Sequence, residues 1–440
     1  MNAISNYGFA IRCSLIASLG GFLFGFETAV ISGAEKNIQQ LWTLDSFWQG
    51  FTVSASLIGT VVGAMVASIP AQKFGRKKVL VIVALAYLCS AVGCALSYTW
   101  LLFILFRFIG GLAVGVSSVV GPIYISEIAP AEHRGRLTAS FQFMIVLGIF
   151  IAYLTNFLFV GLGDEAWRWM LGIMVVPSLL FFALLQLVPE SPRWLAINGY
   201  KDKAHAIFHK LGEEEAMNRV LRADQSVGGS QERLFQKKYV KPILYAVLLA
   251  MFNQLSGINA ILYYAPRIFE LAGFDQKLAY LQPVFIGGAN LLFTCLAMTL
   301  IDKFGRKRLL LIGSLGMFVF LGLVAHAFSQ GIAGASSVLI YLIGFIAFFA
   351  FSQGAVIWVF ISEIFPNNVR SQGSSLGSFT HWIMAAVISW LFPIIAEGSP
   401  NGGYYSFIFY SLMMAASFFF IWKFMPETKG KSLEEIQEAL

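Results

Sequence analysis

The sequence predicts an all-α membrane protein of twelve transmembrane helices, built as two related six-helix halves. Three observations predict it. Of its 440 residues, 58% are hydrophobic and only 12% are charged, against roughly 25% charged in a soluble domain. Apolar stretches long enough to cross a bilayer, about 20 residues each, recur from one end of the chain to the other. Short polar motifs recur as well, once in each half of the chain and in the same order.

Taken in order, the apolar stretches place six spans in the first half, at 9–31, 50–70, 79–97, 101–125, 137–161 and 168–188. Six more follow in the second half, at 241–269, 280–301, 309–328, 336–361, 372–396 and 404–425. The expected organisation is an N-terminal six-helix half over 1–188, a cytoplasmic linker over 189–240, a C-terminal six-helix half over 241–425 and a cytoplasmic tail over 426–440. Within the linker, 202–211 and 214–223 read as short amphipathic helices at a membrane surface. The apolar run at 9–31 is long enough to span and lacks a convincing cleavage site, so a membrane helix is expected there and not a cleaved signal.

Lys and Arg alternate by loop. Lys73, Arg76, Lys77 and Lys78 follow the second span, and Arg134 and Arg136 follow the fourth. The central linker is rich in both, Lys303, Arg306, Lys307 and Arg308 follow the eighth span, and Arg370 follows the tenth. The opposite loops hold only Lys36 and Lys277. Cytoplasmic loops carry the positive excess, which puts both termini and the linker in the cytoplasm. An error of one in the helix count would scramble this alternation.

The same distribution accounts for the net charge of +7. The basic residues are spent on short loops, and no basic surface interleaved with aromatics is left for nucleic acid. Cys13, Cys89, Cys94 and Cys295 lie in or beside apolar segments. They have neither metal-site spacing nor the pattern of a disulfide framework. No metal, cofactor or nucleophile constellation appears, which argues against an enzyme.

The repeat is explicit in the residues. Lys73-Phe74-Gly75-Arg76-Lys77 recurs as Lys303-Phe304-Gly305-Arg306-Lys307. Ser126-Glu127-Ile128 with Pro130 recurs as Ser362-Glu363-Ile364 with Pro366, and Pro189-Glu190 recurs as Pro426-Glu427. The three separations differ by only a few residues, and each pair follows the same helix of its half. Six is an even number, so the copies share one orientation, and repeats of this kind place a substrate site near the bilayer midplane and support alternating access. The arginines can pair with carboxylates at neighbouring helix ends. Arg76, Glu127, Arg134, Glu190, Arg193, Arg306, Glu363, Arg370 and Glu427 are therefore expected to latch the cytoplasmic side when the protein faces outward.

Ionisable residues inside spans are functional candidates by default. Glu27 in the first span and Arg107 in the fourth lie at similar depth, roughly 6–9 Å below the outer boundary at 1.5 Å per residue, and read as the deep pair of opposite charge. A carboxyl in low dielectric holds its proton more tightly, and a neighbouring guanidinium reverses that. Such a pair can load and release one proton as its distance and hydration change. Polar residues on otherwise apolar helices come next: Gln142, Asn253, Gln254, Asn259, Tyr263, Asn290, Trp358, His381 and Trp382. Amides both donate and accept, which suits vicinal hydroxyls, and aromatic rings pack on the apolar face of a sugar. With no carboxylate cluster beside them, they favour a neutral polyol as substrate.

These residues resemble the sugar porter family of the major facilitator superfamily over nearly the whole chain. The stretch from Gly20 to Gly33 is similar to that family's first helix. Arg107 with Gly110-Gly111, Pro189-Glu190-Ser191-Pro192-Arg193, Gln254 to Tyr264, and Pro426-Glu427-Thr428-Lys429-Gly430 are similar to its other signatures. The resemblance implies the major facilitator fold and transport of a hexose, pentose or inositol. It also implies sugar contacts by Gln142, Asn253, Gln254, Asn259, Asn290, Trp358 and Trp382, and Phe24, Tyr263 and His381 are expected to line the same site. Glu27 stands where proton-coupled members carry an acid and passive facilitators carry Asn. The expected function is proton-coupled monosaccharide import, with a passive facilitator as the alternative and a membrane sugar sensor behind it. The expected partners are a sugar, a proton and the lipid bilayer, with no cofactor, metal or nucleic acid. The expected setting is a monomer in a bacterial inner membrane.

Overall fold

A computed structural model describes residues 3–213, 233–331, 335–366 and 369–427. Among the described residues, 12 helices are long and apolar enough to cross a membrane. They are α1 (Tyr7–Leu41), α2 (Ser46–Val66), α3 (Arg76–Leu96), α4 (Trp100–Ile128), α5 (Arg134–Phe159), α6 (Ala166–Leu185), α7 (Lys237–Tyr263), α8 (Gln276–Thr299), α9 (Arg306–Ser329), α10 (Ser337–Ile361), α11 (Arg370–Glu397) and α12 (Gly402–Phe424). Each falls on one of the predicted spans. Hydrocarbon offers the backbone no hydrogen bonds, and a helix satisfies its own N–H and C=O groups. No strand occurs among the described residues.

Three helices depart from a simple apolar rod. The helix that contains α1 runs to Leu41, well past residue 31, because Glu35 and Ile38 are buried in packing and not released into a loop. The α7 region is broken into Val240–Leu255, Ile258–Tyr263 and Ala265–Leu271. At the first break Gly257 has φ +79°, and the Tyr410 ring occupies the space a Cβ would need. The α10 region is likewise interrupted between Ala335–Phe351 and Gln353–Glu363.

In the linker a helix spans Lys201–Leu211, with Ala204, Ile207, Phe208 and Leu211 buried on one face and Gly212 ending it in the left-handed conformation. The expected helix at 214–223 lies outside the described residues, as does the tail beyond Glu427.

By packing, the chain divides into two compact units. The first comprises Met1–Glu27, Gly59–Ile149 and Leu171–Ser230, and the second Thr28–Ile58, Phe150–Met170 and Gln231–Leu440. Glycines set the helix spacing in the first. A Cβ on Gly25 would collide with the carbonyl of Ile145, and one on Gly59 with the carbonyl of Phe108. Small residues at such crossings let backbones approach closely, which is how helices associate where lipid is as apolar as leucine. The second unit has a continuous apolar core that includes Leu249, Ala250, Leu310, Val356, Phe360, Ile364 and Ile421.

The sequence repeat is also a repeat of local structure. Gly75 and Gly305, at φ +97° and +85°, each end one helix and begin the next. Glu190 accepts from the backbone N–H of Lys77 at 2.9 Å. Glu427 accepts from those of Arg306 at 2.9 Å and Lys307 at 3.1 Å. A helix leaves its first N–H groups unpaired and carries a partial positive charge there. In each copy a carboxylate more than a hundred residues away supplies the missing acceptor. A Cβ on either glycine would strike that carboxylate.

The packing yields a test. Gly25→Val should sharply lower the thermal midpoint and the yield of monodisperse protein in detergent, because overpacking a tight crossing costs about 1–3 kcal/mol or more. Gly135→Ala, in a helix with nothing within 4 Å of the new Cβ, should leave both unchanged or slightly improved.

Candidate functional site

Arg107 Nη1 donates to Glu27 Oε1 at 2.5 Å, with both side chains buried in the first unit. Either charge alone at the centre of a membrane costs several kcal/mol, about 2.5–3.5 on insertion scales, so burial of one requires the other. Gly110, one turn along from Arg107, makes the room: a Cβ there would lie 2.5 Å from Ser90 Oγ and 2.7 Å from Glu27 Oε1. Arg107 Nε and Nη2 are buried without a hydrogen-bond partner among the described residues, so the guanidinium depends heavily on this one carboxylate. The helix that carries Glu27 is longer than the apolar stretch alone suggests. Because the helix continues to Leu41, Glu27 lies in its middle and not close to its end.

In the second unit the amides form a chain. Asn259 Nδ2 donates to Gln254 Oε1 at 2.7 Å, Gln254 Nε2 donates to Asn253 Oδ1 at 2.9 Å, and Asn253 Nδ2 reaches the Gln353 carbonyl at 3.3 Å. The same Gln254 nitrogen lies 3.1 Å from Nε2 and 3.3 Å from Nδ1 of His381. The His381 ring is flanked by Trp358, at 4.7 Å between centroids, and by Trp382, at 5.0 Å and nearly perpendicular. The break at Gly257 makes this possible, since it sits between Gln254 and Asn259 and lets both turn toward one place. Asn290 on α8 accepts from Thr294 at 3.5 Å, and Tyr263 is buried at the end of α7. Phe24 and Gln142 belong to the first unit, where both are half-buried. The sequence singled out Asn253, Gln254, Asn259, Trp358, His381 and Trp382, but not Gln353, whose backbone carbonyl ends the chain. It did not reveal that Gln254 joins Asn253, Asn259 and His381.

On the basic-loop side, Arg76 pairs with Glu127 at 2.8 Å, and Ser191 donates to the other oxygen of Glu127 at 2.6 Å. In the second unit Arg306 pairs with Glu363 at 3.1 Å. Arg370 Nε donates to the Phe365 carbonyl at 3.3 Å. Arg134 and Arg193 stand exposed.

One group escaped the sequence reading. On the side opposite the basic loops, Arg267 is 6% exposed and donates through Nε to Glu35 at 2.9 Å, through Nη1 to Glu397 and through Nη2 to Gln39. Gln49 donates to the second oxygen of Glu35 at 2.6 Å, and Ser46 to that of Glu397. The signal was present, since Arg267 falls inside the predicted span 241–269, the same criterion that picked out Arg107. Glu27 and Arg107 are therefore not alone as buried opposite charges.

Comparison with known proteins places this arrangement. Residues 13–440 match the family model "Sugar (and other) transporter". The arabinose-proton symporter of Bacillus subtilis (strain 168) is 37% identical over 442 residues, covering 98% of this chain and 95% of that protein. The D-xylose-proton symporter of Escherichia coli (strain K12) is 36% identical over 482 residues, covering 99% and 97%. Among solved structures, the xylose transporter XylE from E. coli in an inward open conformation superposes with a TM-score of 0.88 at 34% identity, covering 98% of this chain and 100% of that one. The chain is a multi-pass membrane protein and belongs to the sugar transporter family, the sugar porters of the major facilitator superfamily.

Proposed function

We propose that this protein imports a monosaccharide, a hexose or a pentose, by alternating access, driven by one proton per cycle carried on Glu27. The observation that carries the reading is the buried Glu27–Arg107 pair. The proton-coupled relatives support it. A protonated Glu27 no longer offers Arg107 a negative charge, so proton binding weakens the contact that holds α1 against α4. That gives the proton a structural consequence, which a passive carrier does not need. The loop charges support a cytoplasmic placement of both termini and of the linker, and the bacterial relatives support an inner-membrane setting.

In this reading the sugar is held by the chain of amides. Each already has donor and acceptor directions fixed by its neighbours, so an incoming hydroxyl must match them to replace an existing bond. The indoles of Trp358 and Trp382 offer flat apolar surface for the C–H face of the ring. Gln142 and Asn290 are proposed as further sugar contacts on their match to the family's motifs, and Phe24 and Tyr263 as aromatic lining of the same site. His381, packed between two indoles and against Gln254, tunes sugar choice and does not carry the coupled proton. Arg76, Glu127, Arg134, Glu190, Arg193, Arg306, Glu363, Arg370 and Glu427 control the cytoplasmic side during the cycle.

Uptake by purified protein in proteoliposomes, with a panel of sugars and an imposed pH gradient, tests the whole reading. Glu27→Gln keeps the size and hydrogen-bonding capacity and removes the proton site. It should still bind sugar and exchange it down a gradient, but lose accumulation in response to inward proton flow. Accumulation by Glu27→Gln at the wild-type level would remove Glu27 from the coupling step. A wild type that never accumulates sugar would establish passive transport instead.

Two further outcomes follow from the site. Gln142→Ala, Gln254→Ala and Asn259→Ala should each weaken sugar binding about 2- to 10-fold, the loss of one hydrogen bond worth about 0.5–1.5 kcal/mol, with no loss of folded protein. Affinity unchanged in all three, measured by calorimetry, would move the site elsewhere. Arg76→Ala or Arg306→Ala should slow uptake with little change in external sugar affinity. An unchanged maximal rate in both variants would deny these arginines a part in the cycle.

A further inference from the structure

The Arg267 cluster takes no part in the proton or sugar chemistry proposed for Glu27 and the amides, yet Glu35 and Gln49 in it are as deeply buried as Glu27, and Arg267 nearly so. Its members come from four places in the chain. Glu35 and Gln39 lie on α1, Ser46 and Gln49 on α2, Arg267 on the helix Ala265–Leu271 and Glu397 at the end of α11. The contacts close into a ring, from Gln49 to Glu35 to Arg267 to Glu397 to Ser46. Two of its elements precede the central linker and two follow it. The same ends are joined by Tyr280, which donates to the Gly33 carbonyl at 2.8 Å, by Trp390, which donates to the Phe47 carbonyl at 3.0 Å, and by the Lys36–Glu270 ion pair at 2.6 Å.

We propose that this ring is the outer closure of the transport path, with Arg267 as the positioning residue that clamps the outer end of α1 to that of α11. The inference rests on the alternating-access reading and on the orientation given by the loop charges. External sugar then reaches the amide cluster only after Arg267 releases Glu35 and Glu397.

The chemistry suits a closure that must open in every cycle. A purely apolar contact of this extent would expose hydrocarbon to water on opening, with nothing to offset it. A buried ion cluster behaves differently. Its attraction when dry is largely balanced by the hydration its members recover when wet, so the two states stay close in free energy. The guanidinium is required for its shape as well as its charge. Three of its nitrogens serve three acceptors on two helices at once, and an ammonium, a point charge on a flexible stem, cannot reproduce that planar fork. Removing Arg267 would leave Glu35 buried without its cation and with the Glu397 carboxylate nearby, a strongly unfavourable state that opening relieves.

The test measures the outer distance directly. Spin labels at Leu41→Cys and Lys277→Cys, both exposed positions at the outer ends of α1 and α8, would be read by pulsed electron resonance on the full chain in lipid nanodiscs. Cys89 and Cys295 would be replaced by Ser. The expected result is one dominant short distance in wild type. In Arg267→Met the distribution should move to longer distances, with the short-to-long ratio falling at least about tenfold, the effect of a ~1.4 kcal/mol change. Arg267→Lys should fall between the two. A residue that merely fills space would leave Arg267→Met like the wild type, and that result overturns the proposal. So does a wild type already dominated by the long distance. Should Arg267→Met fail to fold, Arg267→Lys is read alone, and a wild-type distribution there overturns the proposal. The measurement uses neither sugar nor a proton gradient, so a failure of the transport reading would appear in uptake assays and not in these distances.

Discussion

Hydrocarbon does not solvate charge, and most of what is distinctive in this chain follows from that constraint. The buried carboxylates are each held by a guanidinium: Glu27 by Arg107, and Glu35 by Arg267, which also reaches the more exposed Glu397. The helices carrying these residues cannot be placed independently, because separating a pair in a dry setting exposes two uncompensated charges. One glycine serves the same end: Gly110 admits Glu27 to its partner, while Gly25 and Gly59 set the close approach of other helix pairs in the first unit.

The repeated carboxylate caps at Gly75 and Gly305 show how one solution is used twice. A positive-φ glycine turns the chain sharply, and the next helix starts without a side-chain cap of its own. Glu190 and Glu427 arrive from the ends of their respective repeats and fill that gap. The arginine that opens the new helix then pairs with a second carboxylate, Glu127 or Glu363. The recurring residues are thus not a topogenic signal alone. They join three parts of each repeat on its basic side.

Much of the fold could be read from the sequence because hydropathy and loop charge are local properties. Span placement, helix count, the two copies and the opposite charges of Glu27 and Arg107 all came from residue type and spacing. The end of α1 could not be read so directly. A hydropathy reading takes Glu35, Lys36 and Gln39 as the start of a loop, and only their packing keeps the helix going. The Arg267 ring is harder still, because its members are drawn from residues 35 to 397 and nothing local selects Arg267 as the partner of Glu35. The amide cluster lies between these cases. Residue chemistry identified its members, whereas the order in which Gln254 links them depends on the break at Gly257.

The break in α7 has a mechanical consequence. Val240–Leu255 and Ile258–Tyr263 meet at Gly257, whose φ of +79° only glycine adopts at no steric cost. Gln254 lies just before that joint and Asn259 just after it. A small bend there would open or narrow the space between the two amides while each helix keeps its own hydrogen bonds, as the pivot of a pair of tongs moves the tips and leaves the arms whole.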